Sequence, residues 1–128
     1  MPELWNKDAE QSVLGGLMLD NEAFELIAGK LRVNDFYHRQ HQLIYQAITT
    51  TADQGKPFDI ITLSEQLNQL GKLNAAGGLA YLASLAKDTP SAANVAAYAD
   101  VVIDKAKRRR LRQLLAEGIE NIASADLD

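Results

Sequence analysis

A chain of 128 residues can fold as one domain with a modest core, and is too short for two ordinary domains. Its 47% hydrophobic and 23% charged residues are those of a globular protein, and the lack of cysteine excludes disulfides and thiolate chemistry. The net charge of −4 is uneven: residues 105–112 carry six basic and no acidic side chains, leaving seven basic against 17 acidic residues elsewhere, so the body repels nucleic acid and any such contact must be local.

The opening "MPELWNKDAEQ" has no basic segment leading into an apolar one, and the apolar run Val13–Leu19 is too short to span a bilayer. A cytoplasmic protein is expected, with residues 1–7 a tail. Asn6 is a plausible N-cap, with Asp8 and Glu10 in the first turn, for a helix carrying Val13, Leu14, Leu17 and Met18. "DNE" at 20–22 breaks this helix and starts a second, with Phe24, Ile27, Ala28 and Leu31 on its apolar face. After an irregular "VNDFYHR", a third helix carries Leu43, Ile44, Ala47 and Ile48 and closes at Gly55. Asp59 caps the fourth, flanked by Phe58 and Leu63 in the positions of a hydrophobic staple, so "FDIITL" reads as a helix entry rather than a strand. Leu67 and Leu70 continue its stripe to Gly71, and a fifth helix at about 75–87 carries Leu79, Leu82, Ala83 and Leu85. Residues 8–90 thus form a helical head.

Residues 91–128 read as one long helix, from about Ala92 to about Ala123 behind Ser91 as N-cap, which at ~1.5 Å per residue is ~48 Å long. A body of ~90 residues is only about 30 Å across, so part of this helix must project. Val95, Tyr98, Ala99, Val102 and Ala106 make one stripe, facing the head. Leu111, Leu114, Leu115, Gly118, Ile119 and Ile122 make a second, rotated roughly 150° from the first at about 100° per residue, and it faces a partner. Between them Lys105, Lys107, Arg108, Arg109, Arg110 and Arg112 point all round the axis. The plainer reading is a solvated stem; the functional one is a contact for phosphates or an acidic partner.

No active site emerges. None of the three "GK" pairs has the spacing of a phosphate-binding loop. His38 and His41 are spaced to share a metal, but only Asp35 is near as a further ligand, so a capping or surface role is expected and no metal. No acidic pair lies in an apolar setting that would shift its pKa. Tyr37, Tyr45, Tyr81 and Tyr98 fall on or near apolar stripes and read as core. The residues describe a non-catalytic, all-α interaction domain with no cofactor: a head of about five short helices and a projecting arm.

The segments "DAEQSVLGGLMLDNEAF" (8–24), "DFYHRQHQLIYQAI" (35–48), "GKPFDIITLSEQLNQLGKL" (55–73) and "GGLAYLASLAKDTPSAANVAAYADVV" (77–102) resemble the N-terminal domain of the bacterial replicative DNA helicase, the DnaB family. The resemblance implies a longer parent chain with a RecA-like domain that uses ATP and Mg²⁺, and a hexameric ring around the lagging-strand template at bacterial replication forks. Its N-terminal domains form a collar of paired helical hairpins that docks primase. The long helix corresponds to the first hairpin arm, with Asp128 falling before the second. A helicase loader or phage protein is a further expected partner, and single-stranded DNA is met mainly through the parent ring. Lys7, Lys107 and Arg108 stand where family members often have apolar residues. Two alternatives remain open: a stand-alone DNA-binding or regulatory protein using the basic helix, and the helicase-binding domain of primase, which is similar in fold.

Overall fold

In the computed structural model, which describes residues 3–125, the order of elements is α1 (Lys7–Leu19), a 3₁₀ segment (Asn21–Leu26), a 3₁₀ turn (Val33–Asp35), α2 (Arg39–Asp53), α3 (Ile60–Gln69), α4 (Gly78–Asp88) and α5 (Val95–Ser124). There is no strand among the described residues. The expected all-α head and long final helix are both present.

The head is built around α1, which packs on α5, α4, α2 and the 3₁₀ segment. Asn6 starts it as expected, its side chain accepting from the Ala9 N–H at 2.9 Å. Val13, Leu14 and Leu17 are fully enclosed, and so is the helix backbone beside them. A Cβ on Gly15 would run into the Leu85 carbonyl and Thr89, and one on Gly16 into Val95. The glycine pair therefore lets the end of α4 and the start of α5 rest directly on α1.

The second expected helix, 20–31, forms instead as the 3₁₀ segment followed by turns. Asp20 accepts from the Glu22 N–H at 3.0 Å. The Asn21 amide donates to the Leu17 and Phe58 carbonyls at 2.9 and 2.8 Å and accepts from the Phe58 N–H at 2.9 Å. These short polar side chains bond backbone locally and across to the α3 entry, and the chain between is drawn into tight turns such as Ile27 N–H to Phe24 O. Ala23, Ile27 and Leu31 still reach the core, whereas Ala28 is exposed.

The later head helices follow the expected pattern more closely. At α3, Asp59 accepts from the Thr62 N–H at 2.9 Å while Thr62 Oγ1 accepts from the Asp59 N–H at 2.8 Å, with Phe58 and Leu63 both buried. Before α4, Gly77 takes φ +107°, which a side-chain-bearing residue adopts only with strain. This helix begins at Gly78, later than expected, so Leu79 lies on its exposed first turn while Leu82 and Leu85 face inward. Helix α5 begins at Val95 rather than Ala92, with Asn94 at its N-cap position, and the Ser91 hydroxyl accepts from the Ala93 N–H at 3.0 Å in the turn before it. Its Val95, Ala99, Val102 and Ala106 are buried against the head. Thirty residues make α5 about 45 Å long. No helix among the described residues is long and apolar enough to cross a membrane.

Candidate functional site

Beyond Arg110 the long helix loses its contacts with the head. Leu111, Leu114, Leu115, Ile119 and Ile122 are between 58% and 70% exposed. Their spacing puts them along one side of α5. One isolated exposed leucine means little; five aligned on a single helix face make a contiguous apolar strip of the kind that marks an interaction surface.

The basic run lies on a stem that is solvated on most faces, but its cations divide into two sets by what they bond. Lys105 Nζ donates to the Glu3 carbonyl at 3.2 Å. Arg109 donates to the Leu4 carbonyl at 2.7 Å and the Asp35 carbonyl at 2.8 Å, with its guanidinium 5.4 Å from the Tyr37 ring centre. Arg110 pairs with the buried Asp35 carboxylate at 3.3 Å. These three fasten the base of the arm to the head and to residues 3–5. Trp5 completes the fastening by stacking on Tyr37 at 4.3 Å between ring centres. Burial lowers the pKa of Arg109, and Glu10 and Asp35 offset this in part. Arg110 is itself exposed, as are Lys107, Arg108 and Arg112, which bond nothing in the head; Arg108 pairs with Asp104 one turn back. An exposed pair of that kind contributes little to stability.

The tyrosines are likewise not equivalent. Tyr45 is buried and donates to the Leu31 carbonyl at 2.9 Å, and burial pushes its pKa up. Tyr37, expected in the core, is exposed under Trp5 and Arg109. Tyr81 and Tyr98 are partly buried.

A buried polar cluster lies between α1, the start of α2 and α4. Glu10, 1% exposed, receives the Tyr37 N–H on Oε2 at 2.8 Å. Its Oε1 meets His41 Nδ1 at 2.7 Å and His38 Nδ1 at 3.1 Å, and His41 Nε2 bonds the Tyr81 hydroxyl. Burial raises the Glu10 pKa, but the hydrogen bonds from His41, Tyr37 and His38 together outweigh it and leave the carboxyl below its usual range. Burial lowers His41, and the Glu10 contact only partly compensates. The geometry is thus a carboxylate accepting from a neutral imidazole, which requires the Nδ1–H tautomer on His41. His41 does not take the capping or surface role expected of it, whereas His38 does sit at the N-cap position of α2; the perturbed carboxyl is a single one, Glu10, not an acidic pair. His41 is fully buried, and its partner Glu10 comes from 31 residues away. The one signal in the sequence was Glu10's place on the helix face next to Val13 and Leu14, where an unpaired carboxylate would be costly.

The family model for the DnaB-like helicase N-terminal domain matches residues 3–104. The chain belongs to that family. A replicative DNA helicase DnaB of Buchnera aphidicola subsp. Baizongia pistaciae is 49% identical over 104 residues, covering 81% of this chain and 22% of that protein. The DnaB of Treponema pallidum is 40% identical over 126 residues, covering 95% of this chain and 29% of its own length. The chain therefore spans under a third of the length of these curated relatives. The N-terminal domain of DnaB helicase from Mycobacterium tuberculosis superposes with a TM-score of 0.93 at 35% identity, covering 98% of this chain and 88% of that one. A DnaB-like replicative helicase, solved with attention to its interactions with primase, shares the fold with a TM-score of 0.81 at 24% identity, over 94% of this chain and 28% of that one. Membership in the DnaB family selects the helicase domain over the primase domain of similar fold and over an unrelated DNA-binding protein. The family model ends at residue 104, so the exposed stripe lies beyond it, in the part of α5 that the mycobacterial DnaB domain structure still covers.

Proposed function

We propose that this chain is the collar segment of a cytoplasmic replicative DNA helicase, which assembles subunits through the far half of α5 and presents a docking surface to primase. The observation that carries the reading is the exposed stripe Leu111, Leu114, Leu115, Ile119 and Ile122 on a chain of the DnaB N-terminal family. Each Leu or Ile it buries on pairing contributes about 1.5–3 kcal/mol, enough in combination to hold two copies together. In this reading ATP and Mg²⁺ serve the parent protein and not these residues, and the parent ring, rather than this segment, carries the main contact with single-stranded DNA. The exposed Lys107, Arg108 and Arg112 supply a weak local one. A loader or phage protein competes for the same collar.

Light scattering across a salt series tests the assembly. The chain should form dimers that strengthen with salt, because pairing brings two basic collars together and salt screens their repulsion. Leu115→Asp should abolish the dimer while the far-ultraviolet circular dichroism stays unchanged, since Leu115 is exposed and packs on nothing in the head. Dimers that weaken with salt, or that survive the substitution, would place the contact on the head. In the full-length protein the same substitution should lower primase capture and leave basal ATPase activity largely intact.

A further inference from the structure

Two imidazoles and one carboxylate converge in the head, away from the exposed stripe of α5. The ring atoms His41 Nδ1 and His38 Nδ1 approach the same oxygen, Glu10 Oε1, at 2.7 and 3.1 Å. The ligand-capable atoms of the three residues all lie within 4.8 Å of one another. In the sequence the two histidines lacked a third ligand; the fold supplies it from α1. We propose that Glu10, His38 and His41 form a binding site for one divalent transition-metal ion, with zinc the best match.

The donor set is the first reason for zinc. Two imidazole nitrogens and one carboxylate oxygen, with a fourth position left to water, is a common tetrahedral zinc environment. Geometry is the second. Metal–ligand bonds of about 2.0–2.2 Å place tetrahedral ligands about 3.3–3.5 Å apart. From the present 2.7 and 3.1 Å, the two nitrogens need to open from Oε1 by well under an ångström. Third, outer partners that orient such ligands are already in place. The Tyr37 N–H holds Oε2 at 2.8 Å, and the Tyr81 hydroxyl faces His41 Nε2.

Ligation through His41 Nδ1 needs no net proton loss. On His41 the proton moves from Nδ1 to Nε2, and the new Nε2–H donates to Tyr81 Oη, which turns from donor to acceptor. Gln11 Nε2 already donates to that oxygen at 3.2 Å, and an alcohol oxygen has two lone pairs to offer. The His38 side chain is 19% exposed, so entry and the fourth ligand come from its side of the cluster. Lys7 and Arg109 both act on this cluster electrostatically and oppose an added cation. Binding is therefore moderate and responsive to metal supply rather than permanent.

The experiment is clean because the chain has two histidines and no cysteine, so an untagged sample offers no other imidazole or thiolate site. After stripping with chelator, Zn²⁺ is titrated by calorimetry, thermal unfolding is followed with and without excess Zn²⁺, and Co²⁺ is added to read its visible spectrum. The expected results are one Zn²⁺ per chain, a Tm raised by several degrees, and the intense visible bands of four-coordinate cobalt. His38→Ala, at a half-buried position, should fold as the wild type does in the absence of metal and lose all three signals. Absence of binding in the wild type, or unchanged binding in His38→Ala, overturns the site. The dimer and primase measurements do not depend on either outcome.

Discussion

Arg108 and Arg109 are adjacent, identical in chemistry and placed in the same basic run, yet their removal should have very different effects. Arg109 makes two charge-assisted hydrogen bonds, at 2.7 and 2.8 Å, and a cation–π contact with Tyr37. Hydrogen bonds to a charged group contribute about 1.5–3 kcal/mol each, and the ring contact about 0.5–1. Arg109 is half-exposed, so water recovers part of this in the variant. A net loss of about 2–3 kcal/mol remains for Arg109→Ala. Arg108 makes one exposed pair with Asp104, an i, i+4 contact of about 0.3–0.5 kcal/mol. Native-state hydrogen exchange by NMR resolves the difference locally. With tenfold for each 1.4 kcal/mol, Arg109→Ala should lower amide protection at the base of the arm by roughly 30- to 150-fold, and Arg108→Ala by little more than twofold. Arg109→Lys should recover less than half of the loss, because an ammonium cannot fork to two carbonyls while also sitting over a ring. Equal effects of the two alanine variants, or full rescue by lysine, would show that the arm is not fastened through the Arg109 guanidinium.

Two further expectations follow from other contacts. Asn21→Ala removes three hydrogen bonds that join the end of α1 to the entry of α3 and should lower stability by about 2–3 kcal/mol, seen as a urea midpoint shift at constant slope; a change below about 0.5 kcal/mol would mean that water replaces the amide without cost. Single-stranded DNA binding, measured by fluorescence anisotropy, should be weak, with affinity falling with salt at a log–log slope of about −2, as the three cations that bond nothing in the head require at ~0.7 each. A slope near −4 would mean that Lys105, Arg109 and Arg110 leave the head to join the contact.

Local signals in the sequence were reliable where one helix decides its own fate. The cap at Asn6, the box and staple around Asp59, and the inward faces of α1 and α2 all depend on residues within a few positions of each other. The segment after Asp20 misled because Asn21 completes its bonding with Phe58, 37 residues away. The division of the basic run was hidden for the same reason: Arg109 finds Leu4 at a separation of 105 residues and Asp35 at 74. Periodicity showed that the arm changes face but could not show which cations would be used in holding its base. Glu10 was placed in a first turn as a favourable charge, which is sound for an exposed acid. That it is enclosed between two histidines required knowing that α1 and the start of α2 meet.

The site of the fastening has a geometric consequence. From Arg109 to Ser124 the helix runs on for about 22 Å at 1.5 Å per residue. A rod of that length, pivoting at its base, magnifies small errors: a tilt of about 10° there moves the tip by about 4 Å, roughly three-quarters of a helical turn. Where several copies must meet through their tips, the bearing of each arm sets whether the last contact closes or misses. Two carbonyl groups and one aromatic ring at the foot of the exposed stripe then set how precisely such arms are aimed.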